Sequence, residues 1–395
     1  MELRKLDTNL FKALYLITVG IVVTQVLDLD SLTSMLFMLT FPITVLLWLR
    51  SVRKTLQGTD MLMLATAVLA AVNVLLDISI SNADVTFDYI KKLIMFIMSL
   101  LFLQTANRVH VGQEFVAFIN RLVDFLTIFL IVMYFLEYSQ MHLLNGYITV
   151  YLTFRFTNPN LTALFMTCLY MLEVYRLFTP ERWYWKLIHI LMAVFLAAFV
   201  WQTQSRNCLL VLLLFTAASG WLIFRGRRNL KIGKLWAALI ASFPALFVAA
   251  YMLVVNTTWA QKLFAFLVGE GKSLNSRVKI WAPALEVLQK SPVIGSYCGA
   301  TNGTGVSQMH NSHLDIAASY GILVLILVVV LLTRYLYQKG KVYSDKSSYI
   351  YMLSFSCAIL LGMGEAALFS GGLAIYVFIG AFLLLANRKE YGIQI

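Results

Sequence analysis

The chain has 395 residues, of which 60% are hydrophobic and only 13% are charged, and its formal net charge is +12. Soluble globular domains are roughly half apolar and about a quarter charged, so this composition excludes a soluble fold and indicates that the bilayer is the solvent. The positive charge would also suit a nucleic-acid-binding protein, but its distribution along the chain indicates membrane topology instead.

Long apolar stretches follow one another from end to end. A membrane-spanning helix needs roughly 20 mostly apolar residues, so the sequence predicts an all-α polytopic membrane protein with about twelve spans. The first stretch follows a basic N-terminal segment and has no small-residue cleavage site, which favours an uncleaved span over a signal peptide. The predicted spans are residues 10–27, 32–49, 61–80, 89–106, 122–138, 161–178, 185–203, 208–224, 235–255, 314–336, 350–368 and 373–386.

The basic residues between the spans test this count, because Lys and Arg are retained on the cytoplasmic side. If the N-terminus lies inside, most of the 31 basic residues fall in the connections that are then cytoplasmic, and both termini are cytoplasmic. The reverse orientation would place the basic residues of nearly every loop on the wrong side. We therefore expect the polar groups that carry chemistry to lie at the outer face and the inner loops to be simple basic anchors. The basic residues left outside are Lys91, Lys92, Arg155, Arg206, Lys262, Lys272, Arg277, Lys279 and Lys290.

One polar segment, residues 256–321, interrupts the apolar pattern. It holds two of the five histidines and a turn region rich in Gly, Ser, Thr and Asn. We expect one integral membrane domain over residues 1–395, with residues 256–311 as an extracytoplasmic loop that carries part of an active site. An apolar face at helical spacing predicts a helix in this loop, formed by Ile280, Trp281, Ala284, Leu285 and Leu288.

Two arginines on the outer side are candidate phosphate ligands. Arg206 lies at a span junction, where a charged group is costly unless it is paired; an interfacial arginine that reaches water is the alternative. Arg277 begins the predicted loop helix, where a guanidinium fork and a helix N-terminus both favour phosphate. A solvated surface charge is equally compatible with Arg277, and Lys279 and Lys272 are weaker candidates of the same kind.

His310 precedes the tenth predicted span at the outer boundary. An imidazole titrates near neutral pH and accepts a proton from a sugar hydroxyl, so His310 is the candidate catalytic base, with Asn311 beside it to orient a partner. A histidine that caps the next helix or binds a carbonyl is the alternative. His313 and Asp315 would with His310 make a metal site, but no third strong ligand has a set spacing, so no metal is expected.

Further polar groups border predicted outer span ends. Arg155, Asn158 and Asn160 precede the sixth span and would form a polar rim for a sugar. The alternative for Asn158 is a helix N-cap, with Pro159 in the first turn. Glu365 is a second candidate acid or base, and a buried structural carboxylate is an equally good interpretation.

Together these pieces resemble the O-antigen ligase and O-antigen or capsular polysaccharide polymerase superfamily of bacterial envelope proteins. Ser276 and His313 depart from the residues common in that family. The pieces that carry the resemblance are Asn158-Pro159-Asn160 before a span, Thr203-Gln204-Ser205-Arg206 after one, Ser276-Arg277 with Trp281, Ala284-Leu285, Pro292 and Gly295, and His310-Asn311 with Leu314 and Gly321.

The resemblance implies a C-type membrane fold and an inverting glycosyltransferase that needs neither metal nor cofactor, in the bacterial cytoplasmic (inner) membrane. Its donor would be a glycan on undecaprenyl pyrophosphate at the outer leaflet. Arg206 and Arg277 would hold the pyrophosphate, and His310 would activate the acceptor hydroxyl. The partners implied are membrane lipid, a flippase and a chain-length regulator, with no nucleic acid. The remaining candidate substrate-binding residues are Arg155, Asn158, Asn160, Lys279, Asn311, His313 and Glu365.

The favoured function is a polymerase that joins lipid-linked repeat units into capsule or O-antigen. A ligase that moves the finished glycan to another acceptor is the first alternative. A transporter or flippase for lipid-linked glycan is an alternative from another class, which predicts charged residues at mid-span. The main acidic candidates for that role, Asp77 and Glu173, are expected near span ends.

Overall fold

A computed structural model describes residues 5–53, 55–81, 87–137, 152–154, 156, 158–179, 182–225, 232–255, 257–259, 262, 275–296, 309–339, 346–365 and 375–386. These residues form fourteen helices. They are α1 (Lys5–Val26), α2 (Asp30–Val52), α3 (Gly58–Ser81), α4 (Phe87–Arg108), α5 (Gln113–Glu137), α6 (Pro159–Arg176), α7 (Trp183–Gln202), α8 (Arg206–Arg225), α9 (Lys234–Val254), α10 (Asn275–Lys290), α11 (Ser312–Tyr320), α12 (Ile322–Lys339), α13 (Lys346–Leu361) and α14 (Ile375–Ala386).

Eight of these helices are long and apolar enough to cross a bilayer, namely α1 to α5, α7, α9 and α12. Large apolar side chains such as Leu75, Leu136 and Phe224 point outward from the bundle. An apolar surface of this extent is stable only against lipid or another protein. The prediction of a polytopic α-helical membrane protein is therefore confirmed, and each predicted span other than the tenth overlaps a single helix.

The tenth predicted span, residues 314–336, is wrong as a continuous helix. The helix is interrupted at Gly321, whose φ of +89° is a left-handed conformation. A Cβ at this position would lie 1.9 Å from the carbonyl oxygen of Val293, so only glycine allows the two backbones to cross this closely. The N–H of Ile322 donates to the carbonyl of Pro292 at 2.9 Å, and α12 begins there.

A buried asparagine in α3 joins this crossing to the bundle. The Nδ2 of Asn73 donates to the carbonyl oxygens of Val293 (3.0 Å) and Tyr320 (2.7 Å). Tyr320 ends α11, and Val293 lies in the turn after α10. The end of the long polar segment is thereby fixed to a membrane helix, which limits the positions that α10 and α11 can adopt.

Helix α14 lies at the centre of the described bundle. All of its residues are buried, and it contacts α4, α13 and α6. A Cβ at Gly380 would lie 2.3 Å from the Phe102 ring of α4, so the small residue allows the two helices to approach closely. Close approach at small residues is a common way for membrane helices to pack.

At one end of α4 a charged residue is buried in a polar network. The guanidinium of Arg108 bonds the Asp60 carboxylate, and it also donates to the carbonyl of Thr55 at 2.7 Å. The Nε2 of Gln104 donates to Asp60 at 2.6 Å, and the Tyr335 hydroxyl donates to Gln104 at 2.8 Å. The charge of Arg108 is thus matched by a carboxylate from another helix.

A second buried network joins α5, α6 and α7. The Nδ1 of His189 lies 2.9 Å from Oε2 of Glu173, and Thr127 donates to Oε1 of the same carboxylate at 3.2 Å. Arg176 lies 3.3 Å from Asp124. This network lies at the end of α7 opposite to Arg206. Glu173 itself is near a helix end, as predicted.

Candidate active site

Three side chains that the sequence analysis selected separately meet at one place. The Nδ1 of His310 lies 3.0 Å from Oε2 of Glu365, and Nη2 of Arg277 lies 3.5 Å from Oε1. Arg277 also donates to the carbonyl of Gly364 at 3.3 Å. Their exposed side-chain fractions are 30% for Arg277, 16% for His310 and 9% for Glu365. We call these three residues the His310 site, which is most open at the guanidinium.

The backbone of His310 is held in an unusual conformation. Its φ of +48° is left-handed, which costs a residue with a Cβ roughly 1–2 kcal/mol. The preceding residue, Met309, is bonded at both of its backbone groups. Its carbonyl accepts from Nε1 of Trp281 at 2.8 Å, and its N–H donates to Oδ1 of Asp315 at 3.3 Å. These contacts fix the direction in which the imidazole leaves the chain.

Asn311 fixes the other side of His310. Its Oδ1 caps α11 by accepting from the N–H groups of His313 (3.0 Å) and Leu314 (2.9 Å). Its Nδ2 donates to the carbonyls of Pro244 (2.9 Å) and Met363 (3.0 Å). The cap that we considered for His310 is thus made by its neighbour. In this structure the Asn311 amide, a candidate substrate ligand, is directed at protein groups.

His310, His313 and Asp315, which we considered as a metal triad and set aside, have separate partners in the structure. His313 is fully buried, and its Nε2–H donates to the carbonyl of Ala241 at 2.8 Å. Burial lowers the pKa of this imidazole to about 4, because the charged form loses its hydration. Asp315 bonds Lys92 rather than either histidine. Among the residues that the structure describes, a three-ligand cluster is formed instead by Asp124, Glu173 and His189, whose ligating atoms lie within 4.8 Å of one another.

Lys92 is a residue that the sequence analysis missed. Its Nζ lies 3.0 Å from Oδ1 of Asp315 and 3.1 Å from the hydroxyl of Ser319, although 223 positions separate it from the carboxylate. One signal was available, because Lys92 was among the few basic residues that did not fit the cytoplasmic side. A basic residue on the wrong side of a membrane helix is a reason to look for a buried acidic partner.

Arg206 begins α8 beside the turn that carries Glu365, and its side chain is exposed. The next residue, Asn207, donates to the carbonyl of Leu361 at 2.7 Å. A Cβ on Gly364 would lie 2.9 Å from the Asn207 side chain, so the start of α8 packs tightly on this turn. The structure thus places both predicted phosphate ligands, Arg206 and Arg277, next to the same turn.

The other candidate residues from the sequence are Asn158, Asn160, Lys279 and Arg155. Asn158 caps α6, since its Oδ1 accepts from the N–H of Asn160 at 2.8 Å and Pro159 takes the first helical position. The alternative that we gave for Asn158 therefore describes its structure. Lys279 is exposed on α10, and Arg155 lies outside the described residues.

The arrangement of the His310 site suits a general base beside an anion. If Nδ1 of His310 donates to the Glu365 carboxylate, Nε2 is the basic nitrogen, since the partner of one ring nitrogen sets the tautomer. The tautomer is assigned from this contact. Arg277 can present its fork to phosphate oxygens while it stays bonded to the turn.

No protein-family model matches the chain, and no curated protein matches it significantly.

Proposed function

We propose that the chain is a polysaccharide polymerase that joins undecaprenyl-pyrophosphate-linked repeat units at the outer face of the bacterial cytoplasmic membrane. The observation that carries this proposal is the meeting of His310, Glu365 and Arg277 beside the start of α8, which bears Arg206. The proposed fold is C-type, with twelve spans (α1 to α9 and α12 to α14) and both termini in the cytoplasm. The basic residues between the spans support that orientation.

The reaction would be a single displacement at the anomeric carbon. The acceptor hydroxyl gives its proton to Nε2 of His310 as its oxygen bonds C1 of the donor sugar, and the bond from C1 to the pyrophosphate oxygen breaks. The configuration at C1 is inverted. The electron pair leaves with the pyrophosphate, whose growing charge Arg277 and Arg206 stabilise. Glu365 holds the imidazole and stabilises its protonated form.

The same chemistry supports the ligase alternative, because only the acceptor differs. A deletion strain separates the two functions. Products that carry single repeat units indicate a polymerase, whereas long polymer that remains unattached indicates a ligase.

The transporter alternative would depend on the buried network of Asp124, Glu173 and His189. These charged groups lie on membrane helices away from the His310 site, and they are paired with one another. A transporter should fail when Glu173→Gln disrupts this network and should tolerate His310→Ala. The proposed enzyme should show the opposite pattern wherever the Glu173→Gln variant accumulates normally.

The central experiment compares His310→Ala and Arg277→Ala in a deletion strain that is complemented with the full chain. Lys290→Ala is the matched control, since Lys290 is an exposed cation on the same helix as Arg277. We expect loss of the polymer ladder with accumulation of single units in the two site variants, and a normal ladder in the control. A normal chain length in both site variants would reject the proposed function.

A further inference from the structure

The backbone next to His310 is also bonded to a charged pair, Lys92 and Asp315. Oδ1 of Asp315 accepts two hydrogen bonds, one from Nζ of Lys92 at 3.0 Å and one from the N–H of Met309 at 3.3 Å. Asp315 is almost fully buried, and the exposed fraction of the Lys92 side chain is 17%. The pair thus links α4 to the residue directly before His310.

We propose that Asp315, with Lys92 as its counter-ion, is a positioning residue that holds His310 in its left-handed conformation and so directs the imidazole toward Glu365. The catalytic consequence rests on the proposed function, in which His310 is the base; the positioning itself does not. Neither residue touches the reacting atoms in this proposal.

The roles of the two residues differ. A buried carboxylate is costly unless it is paired, and Lys92 supplies the opposite charge. Asp315 supplies the acceptor for the Met309 N–H, which is needed because His310 would otherwise relax from its left-handed φ of +48°. The hydrogen-bond acceptor at position 315 therefore determines the direction of the imidazole, whereas Lys92 offsets the cost of burying the negative charge of Asp315.

This division of roles gives a matched pair of variants. Lys92→Met combined with Asp315→Asn removes both charges but keeps a side-chain oxygen for the Met309 N–H. Lys92→Met combined with Asp315→Leu removes the same charges and also the acceptor, at a similar side-chain size. Replacing a buried ion pair with apolar residues is often tolerated, so both double variants are expected to accumulate in the membrane, which thermal unfolding in detergent checks.

The direct readout is the rate at which diethylpyrocarbonate modifies His310 in the full-length protein, measured by mass spectrometry at one pH. We expect the variant with Asp315→Asn to resemble the wild type, and the variant with Asp315→Leu to be modified several-fold faster, because its imidazole leaves Glu365. Polymer formation should fall on the order of 100-fold in the second variant only, as expected for a misplaced catalytic group. Ser319→Ala, which removes another contact of Lys92, is the control and should change neither readout.

Equal His310 reactivity in the two double variants would overturn the proposal. Trp281→Phe provides a second test that does not depend on Asp315, because it removes the donor to the Met309 carbonyl. It should also speed modification of His310, and an unchanged rate would count against the proposal. If His310 reactivity separates the double variants but His310→Ala still makes normal polymer, the positioning role stands and the proposed function fails.

Discussion

The substitution Glu365→Gln tests the proposed base most directly. It keeps the size of the side chain and removes the charge that faces Nδ1 of His310 at 3.0 Å. The other oxygen of Glu365 faces Arg277 at 3.5 Å. Arginine has only donors, so the carbonyl oxygen of the new amide will stay on the Arg277 side. The NH₂ group will then face His310, where the native protein has an acceptor.

This geometry determines the expected magnitude. Loss of charge alone would exchange a charge-assisted hydrogen bond for a neutral one, which is a difference of about 1–1.5 kcal/mol or roughly tenfold in rate. An NH₂ group that faces Nδ1 lowers the rate further, because Nδ1 must then accept a hydrogen bond and the ring proton moves to Nε2. The base then has no free electron pair at the substrate side. We therefore expect the loss associated with removal of a general base, on the order of 10²–10⁴-fold.

The assay is the polymer ladder in a complemented deletion strain, together with the abundance of the variant in the membrane. Glu286→Gln is the control, because Glu286 is an exposed carboxylate on α10. Glu365→Asp keeps the charge and should retain more activity than Glu365→Gln at equal abundance. Nearly normal polymer from Glu365→Gln, in a strain where His310→Ala makes none, would refute this account of the tautomer.

Four further predictions concern stability in detergent. Gly321→Ala should prevent normal folding, because its Cβ would meet a backbone carbonyl at 1.9 Å, whereas Gly112→Ala, with nothing within 4 Å, should unfold like the wild type. Burial lowers the pKa of His313 from 6.5 to about 4 on folding. The free energy of unfolding should therefore be highest above pH 6.5 and should fall by about 3 kcal/mol as the pH is lowered to 4. His313→Gln should weaken this pH dependence, and an equally steep decline in the variant would contradict the prediction. Glu173→Ala should destabilise by about 1–3 kcal/mol for each of the two buried groups that lose a hydrogen bond to the carboxylate, His189 and Thr127; a wild-type melting temperature would show that the network carries no stability. Adding EDTA to the wild type should not lower its melting temperature if His189 and Glu173 bind each other rather than a metal.

The sequence selected Arg277 for its guanidinium at a predicted helix start, His310 for its imidazole at the outer boundary, and Glu365 as a second candidate acid or base. The sequence did not show that they share one carboxylate. Residues from the long segment and from the turn after α13 meet only when the helices pack. The pairing of Lys92 with Asp315 was missed for the same reason, since 223 positions separate the two residues.

The break of the tenth span shows a different limit. Hydropathy averages over many residues, and the run around Gly321 stays apolar on average although Ser319 and Tyr320 directly precede the glycine. The break depends on a crossing with the carbonyl of Val293 and on the side chain of Asn73 from another helix. Glycine alone permits that backbone conformation, but a single glycine in an apolar run is too common in membrane helices to predict a break.

The local charges at the two ends of α7 support the assignment of pyrophosphate to one of them. Among the described residues of the network at its start, Asp124 and Glu173 face a single guanidinium, that of Arg176. A pyrophosphate would be repelled there. Beyond the other end of α7, the Arg277 guanidinium borders a turn whose Glu365 carboxylate also binds His310, and Arg206 begins the helix whose next residue, Asn207, packs on this turn. Two arginines against one carboxylate give that end a net positive charge, which suits the anionic leaving group of the proposed reaction and lies next to the imidazole proposed as its base.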